Sequence, residues 1–294
     1  MENAMQRYFL LSQACAFATV LLWSSAYVFT KVALEQYSVA ALALLRCAVA
    51  AICLGAALAV KRSPFPGLAA LPRFCLAGAA GFALYTLAFN KGSASLNPTT
   101  SCIIIATSPI ITALLAQLRF KERLSLRKWL AIALAFCGIL LMTLWDGVFA
   151  VSEGMPWMLL AALLISIYNI LQRSLSRRFT PLLVTAYSFF AGAALLMPFL
   201  PEAVRQLGAA PPGQAALVLF LGAGPSAAAY LLWTKALSIA PKTSSVSNYM
   251  FLTPFLALLL EYAVTGKLPG AATFAGGGVI IAGLLVFILA DRKK

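Results

Sequence analysis

The feature that most constrains this chain is a succession of apolar runs, each about as long as a bilayer is thick. A helix rises about 1.5 Å per residue, so about 20 mostly apolar residues cross the hydrocarbon core. Ten segments meet that requirement: 9–31, 38–60, 72–91, 96–118, 128–146, 156–174, 181–200, 214–235, 242–264 and 271–290. The linkers between them are short and rich in Pro, Gly or charge, such as Lys61-Arg62-Ser63-Pro64, Arg119 to Lys128, and Gly208 to Gly213. None leaves room for a soluble domain. Ala16-Phe17-Ala18 resembles a signal-peptide cleavage site, but the apolar run continues past it, so the first helix is expected to stay uncleaved. Charged residues make up only 10% of the chain, against about a quarter in a soluble domain. Lipid must cover much of the remainder.

The net charge of +14 is not a nucleic-acid signature, because the basic residues sit in short clusters between apolar runs. With the N-terminus in the cytoplasm, seventeen of the 22 basic residues fall on the inner side and four on the outer. Arg46 lies within the second span. Both termini are therefore expected to be cytoplasmic, in a bacterial inner membrane. The six cysteines all lie inside apolar runs without a CxxC partner, and there is no histidine. Neither a disulfide framework, a metal centre nor a cofactor is expected.

The chain repeats itself. A shift of 145 places Tyr85 on Tyr230, Pro109 on Pro254 and Gly138 on Gly283, while a shift of 142 places Ser24 on Ser166. Each half, 1–146 and 147–294, then holds five helices. An odd number sends the second copy into the membrane from the opposite side. The expected fold is all-α: ten transmembrane helices in two inverted five-helix repeats, related by a pseudo-two-fold axis in the membrane plane.

Paired Gly/Pro interruptions in such repeats point to a carrier's site. Gly78-Ala79-Ala80-Gly81 in the third span matches Ala223-Gly224-Pro225-Ser226 in the eighth, and Pro109 in the fourth matches Pro254 in the ninth. For Gly81, Gly224 and Pro225 a packing role and a hinge role stand side by side; for the two prolines a hinge or cavity wall is favoured. Gly276-Gly277-Gly278 has no counterpart and reads as packing. Polar and aromatic residues gather on spans one, three, four, six, eight and nine, and avoid five and ten. Asn169 and Asn248 either line a site or bond between helices, since a lone amide is costly in hydrocarbon. Trp23 and Trp233 lie away from the membrane interfaces, unlike Trp145 and Trp157, and offer stacking surface or helix packing. With Tyr85, Tyr230 and Tyr249 they complete the candidate substrate site. Arg46 and Glu261 are candidates for charge or coupling roles. Arg46 is expected to face a wet cavity or to pair with Glu261 or Glu35. Glu261 is close enough to the outer end of its span to snorkel.

Trp23-Ser24-Ser25-Ala26 with Lys31, the Leu45-Arg46 pair, Pro109 with Glu122, and the closing Gly-Ile-Leu-Leu and Gly-Leu-Leu-Val runs resemble the EamA branch of the drug/metabolite transporter superfamily. The resemblance covers essentially the whole chain as two tandem units. It implies ten helices in two inverted repeats and transport of small metabolites, often export of amino acids and related compounds. Where the family commonly carries a second glutamate matching Glu122, this chain has Lys267.

The rivals are a membrane enzyme and a channel. No G-x-S-x-G turn, P-loop or filter motif is visible, so neither is favoured. The absence of a fixed carboxylate among the candidate site residues favours a neutral or zwitterionic small molecule, amino acids first, over a permanent cation. A monomer suits the sequence, and so does a dimer.

Overall fold

The computed structural model describes residues 2–120, 125–145, 153–239, 246 and 248–289. These residues are helical, with no strand among them. The long helical segments are, in chain order, α1 Glu2–Ala33, α2 Val39–Val60, α3 Leu68–Ser95, α4 Pro98–Arg119, α5 Leu126–Leu144, α6 Gly154–Leu175, α7 Pro181–Gly208, α8 Pro212–Ile239, α9 Leu252–Thr265 and α10 Ala271–Leu289. Seven of these are long and apolar enough to cross a bilayer, namely α2, α3, α4, α6, α7, α8 and the Tyr8–Ala33 stretch of α1. Two shorter apolar helices, Leu252–Thr265 and Ala271–Phe287, follow. The span expected from 242 enters the described residues with Val246 and a 3-10 turn at Asn248–Phe251. Glu122 and Asp146 lie outside them.

Local chemistry sets where the helices begin. The side chains of Ser38, Asn97 and Thr180 accept from the N–H groups of Ala41, Thr100 and Leu183, and Pro98, Pro181 and Pro212 open their helices. Each cap satisfies a donor that hydrocarbon would leave bare, and proline at the first position gives up an N–H that is unpaired anyway.

The seventh helix does not stop at 200 as the sequence suggests. Met197–Phe199 tightens into a 3-10 turn around Pro198, and Leu200–Gly208 carries on with Pro201 in its first turn. Proline restarts the helix here rather than ending it. The extension has a task. Gln206 Oε1 accepts from the Ser38 N–H at 2.8 Å, and Gln206 Nε2 donates to Glu202 Oε1 at 2.8 Å, so the end of α7 holds the start of α2.

Large apolar side chains stay uncovered along the helices. Ile52, Val60, Leu76, Leu219, Phe255 and Leu259 are each 54–85% exposed. Such a surface is incompatible with water and suited to lipid tails. The protein is an integral membrane protein.

Inside, α2 packs against α7, with Leu44, Leu54, Phe74, Phe82, Tyr168 and Phe189 in the shared core. Around this pair α3 contacts α6 and α7, while α8 contacts α1 and α2. Likewise α4 contacts α6, and α9 contacts α1. α5 and α10 pack mainly on each other. A Cβ added at Gly138 would lie 2.7 Å from the Gly276 carbonyl oxygen, and one added at Gly283 would lie 2.9 Å from that of Ala131. Glycine allows that close approach. Gly277 likewise meets Ile103, whereas Gly278 faces open space.

Candidate substrate site

α3 and α8 lose regular helical geometry at matching places. Ala79–Leu84 in α3 and Gly222–Ala228 in α8 are π-helical turns, falling on the paired interruptions expected from the sequence. A π turn disturbs the i→i−4 ladder and re-aims the side chains beyond it, and such turns gather at functional sites. Tyr85 follows the first directly, and Tyr230 comes two residues after the second. Glycines bring both turns close to the other half. A Cβ on Gly78 would lie 2.4 Å from Ser188 O in α7, and one on Gly222 would lie 2.5 Å from Val49 Cβ and 3.1 Å from Arg46 O in α2. Gly81 admits the Tyr168 ring, and Gly224 passes Leu22. Pro225 is buried inside its π turn, where its missing N–H falls in an already irregular ladder.

The paired prolines also stand at breaks. In α4, regular helix ends at Ile105, turns through Ala106-Thr107, and resumes at Ser108 with Pro109 next. In α9, the 3-10 turn at Asn248–Phe251 precedes Leu252, with Pro254 in the first turn. The two breaks are held alike. Ser166 Oγ of α6 donates to Ser108 O at 2.9 Å, and Ser24 Oγ of α1 donates to Thr253 O at 3.1 Å. Each serine also reaches its own helix four residues back, at Ala162 O and Val20 O.

A cleft of about 500 Å³ opens among the C-terminal end of α2, the start of α7 and the second half of α8. Lys61, Lys235 and Ser238 line it together with Thr185, Thr234 and Tyr230. The Tyr230 ring meets Trp23 at 5.7 Å, Phe82 at 6.0 Å and Phe189 at 6.1 Å between centroids, and Trp23 meets Trp233 at 5.4 Å. Three of the sequence-derived residues, Trp23, Tyr230 and Trp233, thus form one aromatic cluster.

One turn back along α8 from Tyr230, Ser226 faces Arg46. The arginine is 7% exposed. Its Nη1 donates to Thr30 Oγ1 at 3.0 Å and its Nη2 to Ser226 Oγ at 3.5 Å. Its guanidinium carbon lies 5.9 Å from the Phe89 ring centroid, and the phenols of Tyr85 and Tyr230 are within electrostatic reach. Pairing of Arg46 with Glu261 or Glu35 is not what the structure has. Glu35 is exposed on the turn after α1. Glu261 does not snorkel either; at 5% exposure it accepts from both the N–H and the hydroxyl of Thr99. That puts a carboxylate on the N-terminal turn of α4, where free N–H groups and the helix dipole favour negative charge.

Two other expected members stand apart. Asn169 donates to Thr112 Oγ1 of α4 at 3.3 Å, an interhelical bond. Tyr249 packs with Trp233 against the Cys15, Ala16 and Ala236 cluster of α1 and α8. The side chain of Asn248 lies outside the described part. Thr30 and Thr99 are not residues that the sequence singles out. A threonine in an apolar helix bonds its own backbone by default, and nothing local marks one that reaches across.

Comparison with known proteins fits this geometry. The chain matches the EamA-like transporter family twice, over residues 10–144 and 152–289. It is 32% identical over 275 residues to a protein of Streptantibioticus cattleyicolor named as a probable terminal-alkyne amino-acid exporter, covering 91% of this chain and 90% of that one. It is 26% identical over 273 residues to an uncharacterized transporter of Bacillus subtilis, covering 92% and 89%. A solved crystal structure at 19% identity superposes with a TM-score of 0.63 over 97% of this chain and 99% of that one, a likeness of fold.

Proposed function

Because the chain belongs to the EamA-like transporter family, we propose that it is a secondary carrier exporting amino acids or related zwitterionic metabolites by alternating access. It is a transporter, not an enzyme. One observation carries the reading: a cleft open at one end of the helices reaches Tyr230, whose ring joins Trp23 and Trp233 in one cluster beside two repeat-matched π turns. Aromatic walls with a few placed polar groups suit a small amphipathic solute. Trp23, Tyr85, Tyr230 and Trp233 supply those walls, with Arg46 beyond them. Asn248 contributes through its place at the α9 break, and Asn169 and Tyr249 act from the neighbouring helices. Pro109, Pro254, Gly81, Gly224 and Pro225 mark where the backbone yields.

The reading includes ten spans in two inverted repeats, 1–146 and 147–294. Its support is the exchange of partners between halves. α1 packs on α8 and α9 as α6 packs on α3 and α4; α2 meets α8 as α7 meets α3. The serine bonds of Ser24 and Ser166 obey the same exchange. The cleft mouth carries Lys61 and Lys235, which the positive-inside rule assigns to the cytoplasm of a bacterial inner membrane. The opposite ends of α4 and α9 are tied by Glu261 and Thr99. This is the arrangement of a carrier open to the inside.

Purified protein in liposomes tests the function. Saturable amino-acid flux with counterflow is expected, because a carrier exchanges solute across the membrane through one site. Flux that neither saturates nor shows counterflow makes the protein a channel. No flux above protein-free liposomes for any small solute refutes the carrier reading altogether.

A further inference from the structure

Arg46 is buried within the membrane-spanning helix α2 without a carboxylate partner among the described residues. Its guanidinium has five N–H donors, of which two are used, on the hydroxyls of Thr30 and Ser226. The Ser226 bond is long, and Nε has no hydrogen-bond partner among the described residues. An uncompensated buried cation costs several kcal/mol, so a helix keeps one where it serves a function. Packing does not demand it. The repeat-equivalent position in α7 is Ser188, and the two positions do the same structural work: Gly78, just before one π turn, crosses Ser188 O, and Gly222, the first residue of the other, crosses Arg46 O. A serine suffices there on one side of the molecule. The charge itself is what distinguishes the other.

We propose that Arg46 is the seat for a carboxylate on the transported molecule, so that cargo is selected by its acid group. The proposal rests on the carrier reading above and names the chemistry of that site. The location is right: Arg46 meets Ser226, four residues before Tyr230 on α8, and Tyr230 lines the cleft. A solute passing the aromatic cluster therefore arrives at the guanidinium one helical turn, about 5 Å, further in. The donor set is right as well. Nε–H and the neighbouring unused N–H form the planar fork that takes a carboxylate through two parallel hydrogen bonds. The hydroxyl of Ser226 is oriented by its own bond to Leu221 O at 2.8 Å, leaving its lone pairs to Arg46 and not competing for an anion. The titratable groups around the guanidinium are tyrosine and cysteine, with no second cation among them. One positive charge matches a monoanionic carboxylate and leaves a dianionic phosphate half-neutralised. The amino group of a zwitterion then faces the Trp23 and Tyr230 rings, which attract a cation through their π faces.

The test uses reconstituted wild-type protein and three matched pairs, each an amino acid and its carboxamide: leucine, methionine and phenylalanine. Each pair has the same side chain and amino group and differs in the charge of the acid. Competition for counterflow is expected to favour the acid over the amide by at least about tenfold, the loss that follows removal of a charge-assisted hydrogen bond. Arg46→Gln is expected to abolish the preference and Arg46→Lys to keep only part of it, since an ammonium preserves the charge but not the two-pronged fork. Equal competition by acids and amides in wild-type protein overturns the proposal, and needs no variant that might misfold. So does an Arg46→Gln protein with an unchanged melting temperature that still prefers the acids. Flux that responds to neither acids nor amides, while other solutes move, overturns the carboxylate seat and leaves the carrier standing. Absence of all flux above protein-free liposomes removes the carrier reading, and the seat with it.

Discussion

Gly78→Ala tests the contact by which the first π turn crosses into the second half. The new Cβ would lie 2.4 Å from Ser188 O, 2.7 Å from Ala191 Cβ and 2.8 Å from Gly192 N. Ordinary contact begins at 3.4 Å, so α3 and α7 must separate by about 1 Å at that point. Two of the three opposing atoms are backbone, so no side-chain rotation relieves the clash. Overpacking of this kind costs up to about 3 kcal/mol. Alanine recovers about 1 kcal/mol of helix propensity over glycine, leaving about 2 kcal/mol of net destabilisation. For a chain of this size that lowers the melting temperature by about 4 °C. The matched control is Gly278→Ala, where the added Cβ meets nothing within 4 Å and only the propensity gain remains. Thermal unfolding in one detergent at one scan rate compares the two, since membrane proteins unfold irreversibly and only relative midpoints are meaningful. A Gly78→Ala protein melting at or above the Gly278→Ala protein would refute the close crossing.

Three further outcomes are expected. Glu261→Gln and Thr99→Val each lower the melting temperature, and the double variant loses less than the sum of the two, because the hydroxyl bond that Thr99→Val removes is made to the same carboxylate, which keeps its Thr99 N–H bond; additive losses would show that Glu261 acts elsewhere. Trp23→Ala raises the half-saturation concentration several-fold with expression intact, whereas Trp145→Ala, at an exposed position, does not; equal effects would assign Trp23 to folding. In a cysteine-free background, Ser125→Cys stays unlabelled by an impermeant thiol reagent in intact cells and Ser152→Cys is labelled. Labelling of Ser125→Cys would reverse the orientation.

The helix boundaries were legible because the bilayer imposes a length and the caps announce themselves. Ser38, Asn97 and Thr180 stand where the apolar runs begin. The paired interruptions were legible too, since glycine and proline at matching positions leave few alternatives to irregular helix; their form as π turns was not. Pro198 misled in the other direction. It reads as a terminator, yet Pro201 sits where a new helix tolerates it, and the chain runs on to Gly208. The candidate site was only half legible. Trp23, Tyr230 and Trp233 do come together, because Tyr230 and Trp233, three apart on α8, share a face that meets Trp23 of α1. Which partner a polar side chain takes is decided between helices distant in sequence. Nothing near Glu261 points to Thr99, 162 residues away, and nothing near Arg46 points to Ser226, 180 residues away.

The α5–α10 pair has a consequence for biosynthesis. α5 begins at Leu126 and its main partner, α10, at Ala271, 145 residues later. At about 5–20 residues per second, a ribosome needs about 7–30 s to make that stretch. For that interval the Gly138 face of α5 has no helix to close against, and it is open to lipid, to an insertion chaperone or to a membrane protease. The arrival of α10 therefore decides whether α5 survives. A chain truncated before Ala271 should be cleared from the membrane faster than one cut after Leu289, although both contain α5 intact.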